Sequence, residues 1–204
     1  MRPLWLTRAG AAALFVAATP MSGCGEFVRQ GRSPSQLLVV GILTARGAGA
    51  VPTTFQGGPL LSDVPATGQT AFNDFGQATL SVILKDPGSS SAPTAPSRLN
   101  DVTITRYTVA YRRFGGPDGR NTPGVDVPRP IDGAVTFTIA VGQTAVGVIE
   151  LVRQVAKQEA PLAALGNSPV VLTMIAEVTF YGRDQAGNEL SATGHVQVNF
   201  ANFE

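Results

Sequence analysis

The stretch that decides the fold class is Glu189–Phe200, ELSATGHVQVNF, in which small or apolar residues alternate with polar residues. One face would carry Leu190, Ala192, Gly194, Val196, Val198 and Phe200, and the other would carry Ser191, Thr193, His195, Gln197 and Asn199. A period of two is typical of a β-strand with one face against a core. The segment therefore predicts a half-buried strand.

The preceding segment, Val170–Tyr181, alternates in the same way and would bury Leu172, Met174, Ala176, Val178 and Phe180. The short polar stretch Gly182–Asn188 between the two segments predicts a turn. Five further segments have strand composition: Gln36–Ala45, Gln77–Lys85, Val102–Arg113, Gly133–Val141 and Ala145–Arg153. About seven such strands predict an all-β, antiparallel, two-sheet sandwich.

Three local predictions refine this picture. Gln36–Ala45 is apolar on both faces, which predicts a buried strand. The apolar residues of Val102–Arg113 change parity midway, which predicts a β-bulge near Thr105–Arg106. Gly142-Gln143-Thr144 has the composition of a hairpin turn between its two flanking strands.

The segments between the strands are long and contain many glycines and prolines. The loops are Arg46–Gly76, Asp86–Asn100 and Phe114–Asp132, and the first has enough apolar residues to include a short hidden strand. Residues 154–165 contain good helix formers interrupted by Pro161, which predicts a helical turn or two. If successive strands alternate in direction, Arg46–Gly76, Phe114–Asp132 and Gln154–Pro169 share one end of the domain.

The amino terminus has the pattern of an export signal. Arg2 and Arg8 lie beside the apolar run Ala9–Thr19, which is shorter than the ~20 residues that span a bilayer as a helix. Small residues and Cys24 follow, as at a signal cleavage site. Cys24 is the only cysteine in the sequence, and an unpaired thiol is a liability in an exported protein.

Met21-Ser22-Gly23-Cys24 resembles the lipobox of bacterial lipoproteins. The resemblance implies that residues 1–23 are a signal peptide, that Cys24 carries a lipid, and that the protein is anchored in the bacterial cell envelope. It also implies the outer membrane, because Gly25 occupies the position where Asp is the usual inner-membrane retention signal in some bacteria. Residues 24–35 would form a tether, and residues 36–204 the domain. The alternative is a soluble secreted protein with a chance cysteine.

A second resemblance concerns the domain itself. The stretch Ile104–Tyr111 and the closing pair of segments Phe180–Phe200 resemble strands of immunoglobulin-like or fibronectin type III-like domains. The cysteine pair and core tryptophan of antibody domains are absent from this sequence. The resemblance implies an immunoglobulin-like sandwich, a fold that hosts many unrelated functions.

Composition excludes several partners and chemistries. The formal net charge is +1, and it falls to −1 when Arg2 and Arg8 leave with the signal, so we expect no nucleic-acid partner. His195 is the only histidine and its parity is outward, which argues against a multi-histidine metal site or a Ser-His-Asp arrangement. We therefore expect no cofactor and no enzymatic activity.

Two sets of residues could still bind a ligand. Asp118, Asn121, Asp126 and Asp132 fall in one loop, either as a binding site of the kind that holds Ca²⁺ or simply as turn formers. Tyr107, Tyr111 and Tyr181 could form an aromatic face, although tyrosines in sandwich strands are more often half-buried packing residues.

The favoured hypothesis is a lipid-anchored cell-envelope β-sandwich with a non-enzymatic binding or structural role. Its partners would be the membrane, through the lipid on Cys24, and an envelope protein or glycan. The alternative is an enzyme or carbohydrate-binding module with its site on the long loops 46–76 and 114–132. Because loops on a rigid scaffold often carry function, we expect recognition at the membrane-distal loops.

Overall fold

The computed structural model of the chain describes residues 32–113 and 120–203. The lipobox with Cys24 and the loop residue Asp118 lie outside these ranges, so the predictions made for them stay predictions. In the described part of the chain, no helix is both long and apolar enough to cross a bilayer.

The described residues are mostly strands, which confirms the predicted all-β class. The strands are β1 (Ser35–Ala45), β2 (Leu60–Asp63), β3 (Asp74–Leu84), β4 (Gly88–Ser89), β5 (Ala92–Pro93), β6 (Val102–Arg112), β7 (Ile131–Ile139), β8 (Thr144–Val152), β9 (Leu172–Asp184) and β10 (Glu189–Ala201). The helical elements include one α-helical turn, α1 (Gln154–Lys157), and two 3-10 turns, Arg98–Asn100 and Leu162–Asn167. The helical turns predicted within residues 154–165 are therefore present.

Eight of the described strands build two main sheets. One has the order β1-β3-β8 and the other β2-β10-β9-β6-β7, while β4 and β5 form a separate small hairpin. β2 is the short strand suspected within residues 46–76. It runs parallel to β10, with Leu60 opposite Val198, so the expectation of a wholly antiparallel arrangement is wrong at this edge. The chain doubles back after β1, where Thr44 pairs with Gln56, and then adds β2 to the opposite sheet in the direction of β10.

The two sheets share one apolar core, an arrangement consistent with a β-sandwich. The inward residues predicted for β9 and β10 are buried, except that Ala192 is partly buried. Gly194 marks a close approach of the two sheets, because a Cβ placed there would lie 2.6 Å from Cγ1 of Val39. A larger residue at this position would therefore separate β1 from β10.

The bulge predicted in β6 is confirmed. The registers of β6 with both β7 and β9 shift between Ile104 and Arg106. Ile104 and Tyr107 are consequently both buried although they differ in parity.

The predicted hairpin at Gly142-Gln143-Thr144 is wrong. β7 pairs with β6 and β8 pairs with β3, so this turn connects the two sheets. Gly142 has a φ of 78°, and its N–H donates to the Val82 carbonyl of β3 at 2.7 Å. β7 and β8 meet through side chains instead, since a Cβ on Gly147 would lie 2.6 Å from the Phe137 ring. Alternation identifies the buried face of a strand but not its hydrogen-bonded neighbour.

β1 is not the fully buried strand that its composition predicts. It is the edge strand of the three-stranded sheet, and only one of its faces meets the core. Val40 is 63% exposed and Leu43 is 38% exposed. The apolar outer face of β1 is therefore a surface feature.

The three connections that were expected to share one end of the domain begin or end at neighbouring strand termini. Ala45 at the end of β1 lies opposite Phe75, and Asp74 lies opposite Val152 at the end of β8. Arg153 donates from Nη2 to the Asp132 carbonyl at 3.3 Å, which brings the start of β7 to the same place. We call this end of the domain the loop end.

The register of β10 yields a stability prediction. Val198 is completely buried and Gln197 is exposed, so Val198→Asp places an unpaired charge in the core. We expect Val198→Asp to lower the free energy of unfolding by more than about 3 kcal/mol. Gln197→Asp should change it by less than about 0.5 kcal/mol. Urea denaturation of both variants tests this, and equal effects would contradict the register.

Candidate functional site

The described residues of the predicted binding loop are engaged in local turns. The Arg113 backbone N–H donates to Asn121 Oδ1 at 2.7 Å, and the Thr122 N–H donates to Asp126 Oδ2 at 3.0 Å. Asp118 lies outside the described residues. For Asn121 and Asp126 these contacts favour the turn-forming interpretation.

Asp132 belongs to β7 and bonds to a residue of β6. Its Oδ1 accepts a hydrogen bond from Nε of Arg106 on β6 at 2.8 Å. In residues 32–113 and 120–203, no three histidine, cysteine or carboxylate side chains are grouped in a way that could hold a metal ion. The partner of Asp132 is thus a residue of β6, whereas Asn121 and Asp126 accept backbone N–H groups. The predicted ligand set that includes Asp118 stays a prediction.

His195 lies on the solvent face of β10, as its parity predicts. Its Nε2 is 3.5 Å from Glu177 Oε1, and Nε of Arg112 donates to Glu177 Oε2 at 2.6 Å. The hydrogen bond from Arg112 is the main reason that the pKa of the Glu177 carboxyl lies below its ordinary value. Arg112 and Glu177 thus form an ion pair on the outer face of the five-stranded sheet, with His195 beside it.

Two of the three tyrosines pack in the core, as the packing interpretation predicts. Tyr107 and Tyr111 are buried, and the Tyr111 hydroxyl donates to the Leu151 carbonyl at 2.5 Å. Burial raises the pKa of the Tyr111 hydroxyl. Tyr181 is half-buried on the outer surface, with the guanidinium of Arg106 4.7 Å from its ring centroid. The three rings do not form a common aromatic face.

The outer face of the three-stranded sheet is unusually apolar. Its exposed members lie on all three strands and are 38–63% exposed; they are Val40, Leu43, Ile83, Val146 and Val148. We call these five residues the apolar face.

The strand registers place apolar residues of β1 and β8 on either side of the central strand β3. Leu43 lies opposite Gln77, which lies opposite Val148, and in the next outward row Thr79 lies opposite Val146. The central strand β3 contributes neutral residues between the apolar side chains. Exposed apolar surface of this kind is commonly an interaction site.

The outer face of the five-stranded sheet is polar, in contrast to the apolar face. Threonine hydroxyls pair across its strands, at 2.8 Å between Thr103 and Thr138 and at 2.9 Å between Thr179 and Thr193. Ion pairs accompany them, including Arg183 with Glu189 at 2.9 Å. Polar groups that are already paired are typical of an ordinary solvated surface, so the apolar face is the exceptional one.

A buried ionic cluster lies at the loop end. Lys157 Nζ is 2.8 Å from Asp74 Oδ2, and both side chains are almost completely buried. Ser62 Oγ donates to the same Oδ2 at 2.6 Å, and the Gly47 N–H donates to Oδ1 at 2.9 Å. We call these four residues the Asp74 cluster.

The Asp74 cluster lies beside a second ion pair and a small cavity. Arg46 Nη2 is 2.9 Å from Asp63 Oδ2. The cavity has a volume of about 280 Å³, and Asp63, Phe72 and Lys157 are among its lining residues. Buried charges next to a cavity are candidates for a functional role.

The sequence gives little indication of the Asp74 cluster. Asp74 falls within the predicted loop Arg46–Gly76, and Lys157 lies among helix formers that are normally exposed. The cluster joins segments that are far apart in the chain, so no local motif marks it. The available hint is that the sequence contains only two lysines, Lys85 and Lys157.

A larger groove lies between β1, the following loop and β2. It has a volume of about 600 Å³ and is lined by residues that include Pro52, Thr54, Leu61 and Phe203. This groove lies on the first of the long loops that were expected to carry recognition.

Comparison with known protein families finds no family that matches the chain, and comparison with curated proteins finds no match.

The Asp74 cluster generates a stability prediction. Lys157→Met removes the cation and leaves the Asp74 carboxylate buried without it, so we expect a loss of about 3–5 kcal/mol in the free energy of unfolding. Lys85→Met, at an exposed position, should cost less than about 1 kcal/mol. Thermal and urea unfolding of the two variants compares them directly. Similar stabilities would show that the Lys157 contact contributes nothing.

Proposed function

We propose that this chain is a lipid-anchored protein of the bacterial cell envelope that binds another envelope protein and has no catalytic role. The domain would be an immunoglobulin-like sandwich held at the outer membrane by a lipid on Cys24. The observation that supports binding is the apolar face, five exposed aliphatic residues across three strands.

The chemistry of the apolar face favours a protein partner over a glycan. A glycan is bound through many hydrogen bonds, whereas this face offers aliphatic side chains with neutral residues between them. Burying such a surface against a complementary apolar one is favourable by roughly 25 cal/mol per Å². The expected partner therefore presents an uncharged apolar patch.

The proposed anchor also places the apolar face near the membrane. Residues 24–34 would separate the lipid from β1, and about eleven extended residues reach at most ~35–40 Å. β1, which begins at Ser35, is itself a strand of the apolar face. Other proteins of the same membrane would thus be within reach.

A second candidate is ligand binding at the loop end. The groove beside β2 supports it, because its volume of about 600 Å³ is within the range of small-molecule sites. Under this alternative, a glycan or peptide would contact the 46–59 loop, and the apolar face would have no partner.

The apolar face can be tested by photo-cross-linking in cells. A photoreactive residue at Val146 should give an adduct larger than the protein, because Val146 is among the most exposed residues of the apolar face. Val148→Asp in the same chain should reduce the adduct at least tenfold, since it places a charge in an apolar contact. Denaturing electrophoresis of membrane fractions measures the yield.

Two matched positions control this experiment. A photoreactive residue at Thr193, on the polar outer face, should give no adduct. Leu61→Asp changes the loop-end groove and should leave the Val146 adduct intact. If Leu61→Asp abolishes the adduct while Val148→Asp does not, the groove is the binding site. An adduct of twice the protein mass would identify the partner as a second copy.

The anchor has its own test. Cys24→Ser removes the sulfur that would carry the lipid, so we expect uncleaved or soluble precursor where the unmodified chain fractionates with the membrane. Fractionation and electrophoretic mobility measure both outcomes. A Cys24→Ser chain that still runs as mature protein in the membrane fraction would refute the lipid anchor.

A further inference from the structure

We propose that Lys157 and Asp74 condense to an intramolecular amide that links α1 covalently to the start of β3. This inference concerns the Asp74 cluster and is independent of the proposed binding function.

The geometry brings the two reacting groups into contact. Lys157 Nζ is 2.8 Å from Asp74 Oδ2, and the carbon it would attack is bonded directly to that oxygen. The side chains are 2% and 0% exposed, so bulk water does not separate them. Reactive groups held in such contact can have effective molarities of about 10⁵–10⁸ M.

The reaction balances without an added reagent. A proton passes from the ammonium of Lys157 to Asp74 Oδ2, which gives a neutral amine and a neutral acid. Nζ then attacks Cγ of Asp74, the C–N bond forms, and the C–Oδ2 bond breaks. Oδ2 leaves as water with two of the three ammonium protons, and the third remains on the amide nitrogen.

Burial favours the amide over the ion pair. Two charges held at this depth carry a desolvation penalty. The amide removes both charges and so removes that penalty.

The neighbours of Asp74 fit the charges that develop. The Gly47 N–H, 2.9 Å from Oδ1, would stabilise negative charge on that oxygen in the tetrahedral intermediate. The Ser62 hydroxyl, 2.6 Å from Oδ2, contacts the oxygen that leaves. The cavity of about 280 Å³ that Lys157 lines gives the released water a place to go.

The amide would tie together covalently two segments that are far apart in the sequence. The sequence has one cysteine, so the chain has no intrachain disulfide. A bond from residue 74 to residue 157 closes a long loop, and cross-links of this kind stabilise chiefly by restricting the unfolded chain.

Peptide mass mapping of the purified full-length chain tests the proposal. The protein is denatured and digested with trypsin, which cleaves after lysine and arginine. We expect the peptide Gly47–Lys85 joined to Gln154–Arg183, at their summed mass less one water and with no cleavage after Lys157. Lys85 provides the internal control, because trypsin should cleave there normally.

Fragmentation of the joined peptide locates the bond. A branch at Asp74 supports the proposal, whereas a branch at Asp63, which lines the same cavity, overturns the assignment of the acceptor. Recovery of Gln154–Lys157 with an unmodified lysine, together with linear Gly47–Lys85, means that the pair is an ordinary ion pair and overturns the proposal. Lys157→Arg keeps the positive charge and should give only unlinked peptides. Because the decisive result is the mass of the unmutated protein, it does not depend on whether a variant folds.

Discussion

The loop end of this domain depends on the burial of the Asp74 carboxylate. A carboxylate in that position is tolerated only when its oxygens are bonded, and three separate segments supply the donors. Gly47 comes from the loop after β1, Ser62 from β2, and Lys157 from α1. Within the described residues, no buried side-chain nitrogen or oxygen lacks a hydrogen-bond partner. One charged group thus joins three segments of the loop end, beside buried apolar residues such as Val64 and Leu162.

The loop end and the two outer faces of the sandwich differ in the interactions that they contain. The loop end is organised by buried charges, and the outer surface of the five-stranded sheet is organised by paired hydroxyls and ion pairs. The outer surface of the three-stranded sheet carries exposed aliphatic residues on each of its strands. A small domain gains little stability from such a surface in water. The exposed aliphatic residues of this surface are better explained by association with a partner than by folding of the domain.

The alternation of apolar and polar residues correctly predicted the features that depend on neighbouring residues in the sequence. The alternation in β9 and β10 gave the correct buried faces, and the parity change in β6 gave the bulge at Thr105. The three errors concern neighbours: β1 proved to be an edge strand, β7 and β8 joined different sheets, and β2 runs parallel to β10. A strand that is apolar on both faces can be buried on both faces or can expose one of them. The sequence does not distinguish these two cases. The Asp74 cluster escaped prediction for a related reason, because its members come together only when both sheets are in place.

The edges of the three-stranded sheet indicate how a partner could approach it. A free strand edge invites another strand to pair with it, and bulges and covering segments oppose this. β1 has a register shift between Val39 and Gly41, and Gln56 pairs with it at Thr44. At the other edge, β8 lies against β7 through the contact between Gly147 and Phe137. Strand addition is hindered at both edges while the aliphatic side chains between them remain exposed. A partner that docks on this sheet would therefore pack on its face, and its specificity would come from side-chain shape more than from backbone hydrogen bonds.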